Sequence, residues 1–361
     1  MVIHRAFWAS CGPDAFSSIL DCMFACLETS DLVAAGWNSH QIRSAVDCCL
    51  RRLRRGRYVV TRACDNPSHA FVAAIAEAEE TALPHETAGM LKRGEDLRIL
   101  VRSFVPDLPH DAVFSHRSAL LVHGLPVPYV DKGEVYVEVA SPRSSVRQRD
   151  LVVRRRALQP DTMEIVEGIP VTTVVQTLLD VARDCPLAFA VAVADAAVHL
   201  GRVTLEEFRA HQAAHPVRTR QSRITAVLEN IDGRRETVAE SICAVRFVEY
   251  SIPGFEPQLV VCDADGRFLA RSDFGNEAVK VIAEFDGAGK YYIDDGDPHR
   301  AFERERKREY ALRNKGWMVF RIRWADLFSA DLFLRIKEAV RIRETEIAAR
   351  DRLAGPMQGA Q

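Results

Sequence analysis

The spacing of apolar residues predicts helices followed by a hairpin at the start of the chain. Apolar positions recur with the period of an amphipathic helix over 15–27 and again over 39–49, and a short helical stretch at 31–35, with Ser30 as its N-cap and Gly36 after its end, lies between them. The stretch LRRLRRGRYVV at 50–60 follows, with Gly56 between two strand-like halves. Residues 1–64 are therefore predicted to form a small helical segment that ends in a basic hairpin.

The middle of the chain predicts a mixture of helices and strands. Over 65–215, an alanine-rich helical stretch at 68–83 precedes strand patterns at 135–140 and 151–157. Further helical patterns follow, and the polar stretch at 215–222 predicts a linker. This mixture indicates an α+β domain between the first segment and the linker.

The pattern after the linker predicts a mixed sheet flanked by helices. A helical stretch through 236–245 leads to the strand QLVVC at 258–262 and to a hairpin over 268–287. A charged helix starts after Asp297-Pro298, and a strand at 317–324 and a last helix complete the chain.

Composition narrows the functional classes only slightly. The 361 residues have a net charge of −2, so contact with nucleic acid requires local basic patches rather than an overall positive charge. No apolar run approaches the roughly 20 residues of a membrane span, and the N-terminus lacks the pattern of a signal peptide. We therefore expect a cytoplasmic protein with no membrane partner.

Residues 1–13 show no periodicity, and we expect them to be poorly ordered, with a downstream translation start as a hypothesis.

The nine cysteines show neither the even number nor the regular spacing of a disulfide framework, and no CxxC pair occurs. We expect reduced and mostly buried thiols in a reducing compartment. A zinc site formed by Cys22, Cys26, Cys48 and Cys49 is the less favoured alternative.

Acidic residues cluster around the predicted C-terminal hairpin. Glu284 and Asp286 lie two apart on a strand and project from one face, and Asp273 ends the preceding strand. Crowded carboxylates repel each other unless a cation is present, and Mg²⁺ prefers hard oxygen ligands. The pattern thus predicts a magnesium site that activates water against a phosphodiester. Glu240 on the upstream helix adds a carboxylate, and Lys290 is a candidate for assisting the water or pairing with the phosphate.

This part of the chain resembles a known nuclease fold. Asp273, the segment EFDG at 284–287, Lys290 and GWMVFRIRW resemble the restriction-endonuclease-like, PD-(D/E)XK fold, and more narrowly the very-short-patch repair endonucleases. The resemblance covers roughly the last third of the chain and implies that Asp273 and Glu284 are metal ligands and that Glu240 is a helix-borne acid. The chain departs from the family pattern at Asp286, where the family has a lysine, so that role falls to Lys290 or is absent.

Two further basic runs are interpreted as solvated surface. Residues 303–309 alternate arginine and lysine with glutamate, which is typical of an exposed helix face. The run Arg154-Arg155-Arg156 is predicted to be a strand end that meets solvent.

Polar and basic side chains of the N-terminal segment predict a DNA-binding surface. His40, Gln41, Arg43 and Ser44 lie on the outer face of the second helix, which suits the major groove. The hairpin adds five arginines suited to phosphate contacts, namely Arg51, Arg52, Arg54, Arg55 and Arg57.

The same segment resembles the winged helix-turn-helix of AbiEi-type antitoxins, the repressor half of abortive-infection toxin–antitoxin pairs. The motifs that carry this resemblance are SDLVAAGWNSHQIRSAV and LRRGRYVV, and SHRSALLVHGLP and GIPVTTVVQTLLDVAR are similar to the body of these antitoxins. The resemblance implies double-stranded DNA and a cognate toxin protein as partners. Together the resemblances predict an α/β multidomain protein. It comprises a winged helix-turn-helix at 1–64, an α+β antitoxin domain at 65–215 and a restriction-endonuclease-like domain with a mixed sheet at 216–361.

Three functions follow from these patterns. The first is a DNA-binding regulator of antitoxin type that carries a nuclease-like domain. The second is a Mg²⁺-dependent DNA endonuclease of repair or phage defence. The third is a non-enzymatic scaffold that neutralises a partner toxin. The residue at position 286 favours the first function over the second, whereas Asp273 and Glu284 keep the second open.

Overall fold

The computed structural model describes residues 26–46, 48–61, 64–72, 89–129, 135–263, 265–286 and 298–354. The segment predicted to be poorly ordered, most of the helices predicted at 15–27 and 68–83, and Lys290 lie outside the described residues. The described chain divides into two compact units, one formed by residues 185–205 and 220–354 and the other by residues 26–184 and 206–219. The domain boundaries near 64 and 215 stay a prediction.

Two short helices and a three-stranded antiparallel sheet open the described chain. Strand β1 (Cys26–Glu28) leads directly into helix α1 (Thr29–Ala34), and helix α2 (Ser39–Val46) follows. Strands β2 (Leu50–Arg54) and β3 (Arg57–Val60) form the hairpin, and the strand order is β1-β3-β2. The two helices and the basic hairpin therefore occur in the predicted order.

The helix predicted over 15–27 is wrong at its C-terminal end, where strand β1 lies. Helical spacing predicted a helix over 15–27, but Cys26 and Leu27 belong to a strand. Leu27 pairs with Tyr58 of β3, and both side chains are buried in a core that also contains Leu32. A strand partner about thirty residues away thus outweighs the local periodicity, which is a common outcome for short apolar runs.

A six-stranded mixed sheet forms the centre of the same unit. Its strands are β4 (Val113–Phe114), β5 (Val137–Ser141), β6 (Val146–Arg147), β7 (Leu151–Arg155), β8 (Met163–Val166) and β9 (Ile169–Thr172). The order is β6-β7-β5-β4-β9-β8, with parallel pairing of β5 with β7 and of β4 with β9.

Three helices accompany this sheet, namely α3 (Gly89–Phe104), α4 (His116–Val122) and α5 (Val174–Asp184). Leu97 of α3 shares one buried apolar cluster with Leu121 of α4 and with strand residues. The cluster closes one face of the sheet, which must be covered to keep its apolar side chains from water.

Alanine-rich helices begin the other unit. Helix α6 (Leu187–His199) packs against α8 (Gln221–Asn230) and α9 (Val238–Glu249). A Cβ atom at Gly233 would lie 2.7 Å from the Val198 side chain, so this close approach requires glycine. The intervening helix α7 (Leu205–Ala214) belongs almost entirely to the unit that contains the six-stranded sheet.

The C-terminal stretch forms a four-stranded mixed sheet. Its strands β10 (Glu256–Cys262), β11 (Phe268–Asn276), β12 (Val281–Phe285) and β13 (Met318–Ile322) lie in chain order. The first three pair antiparallel, whereas β12 and β13 pair parallel. Helix α10 (Pro298–Asn314) lies between them in the chain, as parallel strands require a crossover. The predicted mixed sheet with helices is confirmed, and its assignment to the restriction-endonuclease-like fold stays a prediction.

Aromatic rings hold the last helix, α11 (Asp331–Ala354), to this unit. The ring of Phe247 in α9 lies 5.3 Å from that of Phe274 in β11 and 5.8 Å from that of Phe333 in α11, both edge to face. Such pairs add stability beyond the area that they bury. No helix in the described part of the chain combines the length and apolarity that crossing a membrane requires.

Candidate functional site

Glu240 is fixed at the N-terminus of α9, where its carboxylate is almost fully buried. Thr237 caps the helix, and its hydroxyl donates to Glu240 Oε1 at 2.8 Å. Gln258 Nε2 and the backbone N–H of Glu236 donate to Oε2 at 2.8 and 3.1 Å. Burial raises the pKa of Glu240, and the negative charge of Asp273 raises it further. The structure thus brings Asp273 close enough to Glu240 to disfavour two ionised groups.

Asp273 also contacts the strand that carries Glu284. Its Oδ2 atom accepts a hydrogen bond of 2.7 Å from the backbone N–H of Phe285. Asp286 follows β12 half-buried, and its N–H donates to the carbonyl of Ile322 at 2.8 Å. Asp273 therefore lies at the end of β12, whereas the convergence of Asp273, Glu284 and Asp286 on one metal ion stays a prediction.

Glu284 is buried between two arginines. Its Oε2 atom lies 2.9 Å from Arg308 of α10 and 2.9 Å from Arg321 of β13, and Arg321 also contacts Glu309 at 3.3 Å. Arg308, predicted as part of a solvated helix face, instead neutralises a buried carboxylate, because α10 packs over β11. Two guanidinium groups thus lie beside this carboxylate, and its role as a Mg²⁺ ligand stays a prediction.

Three of the four residues predicted on the outer face of α2 are exposed, and the fourth forms hydrogen bonds within the helix start. His40, Arg43 and Ser44 are exposed. Gln41 Oε1 accepts the backbone N–H of Asn38 at 2.9 Å, while Asn38 Oδ1 accepts the N–H of Gln41 at 3.0 Å. This reciprocal pair forms a capping box, so the Gln41 side chain stabilises the start of α2.

The five hairpin arginines also divide into two groups. Arg51 contacts Asp96 of α3 at 2.6 Å, and Arg57 contacts Asp107 at 3.0 Å. Arg54 pairs with the same aspartate. Hydrogen bonds and charge from Arg54 and Arg57 lower the pKa of Asp107 although burial opposes this.

Arg54 is held further by the residues that end α3. It donates to the Ser103 hydroxyl at 3.2 Å, and its guanidinium lies 4.1 Å from the centre of the Phe104 ring. Arg52 and Arg55, in contrast, are exposed. The hairpin thus uses three arginines to attach to α3 and the turn after it, and presents two to solvent.

A buried ion-pair network joins strand β5 of the six-stranded sheet to helix α4 and strand β7. Glu138 of β5 is almost inaccessible, and its carboxylate contacts Arg117 of α4 at 2.9 Å and Arg154 of β7 at 2.9 Å. Burial alone would raise the pKa of Glu138, but His116, Arg117 and Arg154 outweigh it and lower the pKa to about 2. The carboxylate is therefore held ionised inside the domain.

A second set of ion pairs joins the motifs SHRSALLVHGLP and TVVQTLLDVARD. Asp184 at the end of α5 contacts His116 at 3.1 Å, Arg156 at 2.7 Å and Arg183 at 3.1 Å. Burial opposes ionisation of Asp184, yet the His116 and Arg183 contacts hold its pKa far below the usual range. The prediction that residues 154–156 form a solvated strand end is wrong for Arg154 and Arg156, because acids remote in sequence meet them inside the domain.

These ion pairs lie in the stretch that a comparison with protein families identifies. Residues 115–230 match the family model of the AbiEi antitoxin C-terminal domain. The matched AbiEi stretch covers about a third of the chain and supports a role in a toxin–antitoxin system. Neither the curated proteins nor the solved structures contain a match to the chain.

One cluster of potential ligands was missed by the sequence analysis. Cys48, Cys49, Cys64 and His69 offer ligand atoms that all lie within 4.8 Å of one another. The less favoured zinc site included two of these cysteines, but its Cys26 lies in β1 outside this group and its Cys22 is outside the described residues. The spacing of Cys64 and His69 beside the Cys48-Cys49 pair was the available signal.

Proposed function

We propose that the protein is a DNA-binding antitoxin of the AbiEi type. The observation that carries this proposal is the match of residues 115–230 to the antitoxin domain. The N-terminal segment supports it independently, since two helices followed by a basic hairpin are the order of a winged helix-turn-helix.

In this proposal, α2 enters the major groove and the hairpin contacts the phosphates. The exposed His40, Arg43 and Ser44 are the candidates for base contacts. Arg52 and Arg55 are the candidates for phosphate contacts, because exposed guanidinium groups can reach the backbone without breaking an ion pair. Arg51, Arg54 and Arg57 instead hold the hairpin against α3 and the following turn.

The test is an electrophoretic mobility shift with the full chain on DNA from upstream of its own gene and on a shuffled duplex of equal length. We expect tighter binding to the upstream DNA. Arg43→Ala should reduce this preference, and the double variant Arg52→Ala/Arg55→Ala should weaken binding to both duplexes. The control variant Arg209→Ala/Arg267→Ala removes the same charge from exposed positions outside the segment. Equal losses in both double variants would contradict the proposed interface.

The antitoxin part of the proposal concerns a cognate toxin. Co-expression of the chain with a toxin encoded beside its gene should restore growth that the toxin alone arrests. A chain that binds the upstream DNA but leaves growth arrested would limit the function to gene regulation.

A second candidate is a Mg²⁺-dependent endonuclease with the PD-(D/E)XK fold. The proximity of Asp273 to the buried Glu240 favours it, because two acidic groups in one place can attract a cation. The ion pairs of Glu284 count against it. Incubation of supercoiled and mismatched DNA with Mg²⁺, Mn²⁺ or EDTA tests this candidate. Metal-dependent nicking that Asp273→Asn abolishes would support it, and intact DNA under every condition would exclude it.

A further inference from the structure

Four side chains with soft or borderline ligand atoms converge in the N-terminal segment. Cys48 and Cys49 lie between α2 and β2, Cys64 follows β3, and His69 ends a short 3₁₀ helix at Pro67–His69. Cys49 and His69 are buried, and Cys48 and Cys64 are half-buried. The group therefore joins three successive parts of the chain at one point in the interior.

Three of the distances within the group are close to those of a tetrahedral metal centre, and all four ligand atoms lie within 4.8 Å of one another. Zinc bonds of about 2.3 Å to sulfur and about 2.0 Å to nitrogen place tetrahedral ligand atoms roughly 3.5–3.8 Å apart. The Sγ atoms of Cys48 and Cys64 are 3.4 Å apart, and His69 Nδ1 lies 3.7 Å from Cys49 Sγ and 3.4 Å from Cys64 Sγ. A sulfur–sulfur distance of 3.4 Å is far longer than the bond of about 2.05 Å in a disulfide.

Backbone hydrogen bonds hold the two adjacent cysteines in place. The N–H groups of Cys48 and Cys49 both donate to the carbonyl of Ala45, at 3.0 and 2.8 Å. The carbonyl of Cys49 accepts the N–H of Thr61 at 2.8 Å and its hydroxyl at 3.0 Å. The backbone of both cysteines is thus held by the end of α2, and that of Cys49 also by the residue after β3.

The histidine is oriented by its own helix and by an aromatic neighbour. Asn66 accepts the backbone N–H of His69 at 2.8 Å, and its side chain caps the 3₁₀ helix through Ser68. The indole ring of Trp37 lies 5.5 Å from the imidazole. These contacts direct Nδ1 towards the sulfur atoms, so little reorganisation is needed for ligation.

The chemistry of the four side chains suits a soft or borderline cation. Three cysteine sulfur atoms and one imidazole nitrogen meet at this point. A divalent cation deprotonates a coordinated thiol outright, so thiolates can share one buried position. Four protein ligands rich in sulfur are typical of closed, structural zinc sites.

We propose that Cys48, Cys49, Cys64 and His69 bind one Zn²⁺ through three sulfur atoms and Nδ1. The metal fastens the end of α2 and the start of β2 to the segment after β3. This site is structural and goes beyond the proposed function, since zinc would stabilise the segment whether or not it binds DNA.

The direct test is metal analysis of the purified chain by inductively coupled plasma mass spectrometry. We expect one zinc ion per chain, and Co²⁺ substituted for it should show the strong visible absorption of a tetrahedral thiolate site. Cys64→Ser and His69→Ala should lose most of the zinc. The control Cys262→Ser removes an exposed cysteine of the C-terminal sheet and should keep it. Zinc loss in all three variants alike would overturn the site.

Alkylation of the unmutated chain tests the same site without a variant that fails to fold. With Zn²⁺ present, peptide mass spectrometry should find Cys48, Cys49 and Cys64 protected from iodoacetamide and Cys262 modified. After removal of zinc by a chelator, the three protected cysteines should react and the melting temperature should fall. Equal alkylation with and without zinc, or a Cys48–Cys64 disulfide in the freshly purified chain, would overturn the proposal.

Discussion

Two buried glutamates, one in each unit, have opposite electrostatic surroundings. Glu138 contacts two arginines, and its pKa is lowered to about 2 although burial opposes this. Glu240 is buried to a similar degree, but burial and the negative Asp273 raise its pKa. Burial alone therefore does not define the role of a carboxylate. The charge of its neighbours decides whether it is a permanent ion pair or a group that favours a proton or a cation.

Glu284 belongs with Glu138 in this comparison, although the sequence analysis placed it with Glu240. The carboxylate sits between Arg308 and Arg321, and its strand is central in the C-terminal sheet. These contacts stabilise the packing of α10 against the sheet, and the role of Glu284 as a metal ligand stays a prediction.

The largest expected effect is the loss of the Glu138 charge. Glu138→Gln removes the buried charge that Arg117 and Arg154 both contact and should lower the free energy of unfolding by about 3–5 kcal/mol at neutral pH. Urea denaturation measures it. Glu206→Gln, at an exposed position of the same unit, is the control and should change the stability by less than about 0.5 kcal/mol. A small effect in Glu138→Gln would contradict the role of the ion pairs.

The pH dependence of stability tests the lowered pKa of Glu138. Because the folded state lowers the pKa of Glu138 from 4.5 to about 2, its contribution is fully present above pH 4.5 and is lost as the pH falls towards 2. The shift corresponds to roughly 3 kcal/mol, at about 1.4 kcal/mol per pKa unit. The wild-type chain should lose more stability than Glu138→Gln over this range in urea titrations, and parallel curves would contradict the assignment.

Glu284→Gln distinguishes a structural ion pair from a metal ligand. In metal-free buffer with EDTA we expect a loss of roughly 2 kcal/mol, smaller than for Glu138 because Arg308 and Arg321 are partly exposed. Glu277→Gln, at an exposed position of the turn between β11 and β12, is the control. Unchanged stability in EDTA combined with a stabilisation by Mg²⁺ that only the wild type shows would instead support the magnesium prediction.

Glu240→Gln should change the free energy of unfolding less than Glu138→Gln does. The contribution of Glu240 to stability should also depend on pH in the opposite direction to that of Glu138. The raised pKa means that the folded state favours the protonated carboxyl, so the wild type loses stability as the pH rises through that pKa. Glutamine cannot ionise, and the variant should lack this decline while changing the stability by only about 1 kcal/mol. Urea unfolding at several pH values measures the difference. A decline that persists unchanged in the variant would assign it to another group.

Arg54 and Arg55 provide the finest comparison because they are adjacent and equally charged. Arg54→Ala removes contacts with Asp107, Ser103 and Phe104 and should lower stability by about 1–3 kcal/mol. Arg55→Ala should leave stability within about 0.5 kcal/mol and weaken DNA binding. Thermal unfolding and DNA affinity measured on both variants check this division. The reverse outcome would mean that the hairpin contacts DNA through its other side.

Local sequence patterns predicted the helices that have clear start and stop residues. Helix α2 has a polar cap and an apolar face, and α10 begins at Pro298 and ends before Gly316, so both were predicted close to their observed bounds. The pairing of β12 and the mixed sheet followed from the hairpin and the crossover. In these cases neighbouring residues carry the information.

Contacts between remote residues account for what the sequence did not reveal. Helix α3 was not anticipated, and the strand β1 was interpreted as helix. The partners of Arg54 and Arg308 lie 53 and 24 residues away, so an arginine-rich segment cannot show which side chains are engaged. The approach of Cys49 to His69 across 20 residues is hidden for the same reason.

The most direct test of the proposed DNA-binding function is the salt dependence of DNA affinity, measured by fluorescence anisotropy between 50 and 200 mM salt. In a plot of log K against log salt concentration, each phosphate contact contributes about −0.9 to the slope. We expect the slope of Arg52→Ala/Arg55→Ala to be shallower by about 1.8 than that of the wild type, while Arg209→Ala/Arg267→Ala keeps the wild-type slope. An unchanged slope in Arg52→Ala/Arg55→Ala would contradict the hairpin as the phosphate-contacting element of the protein.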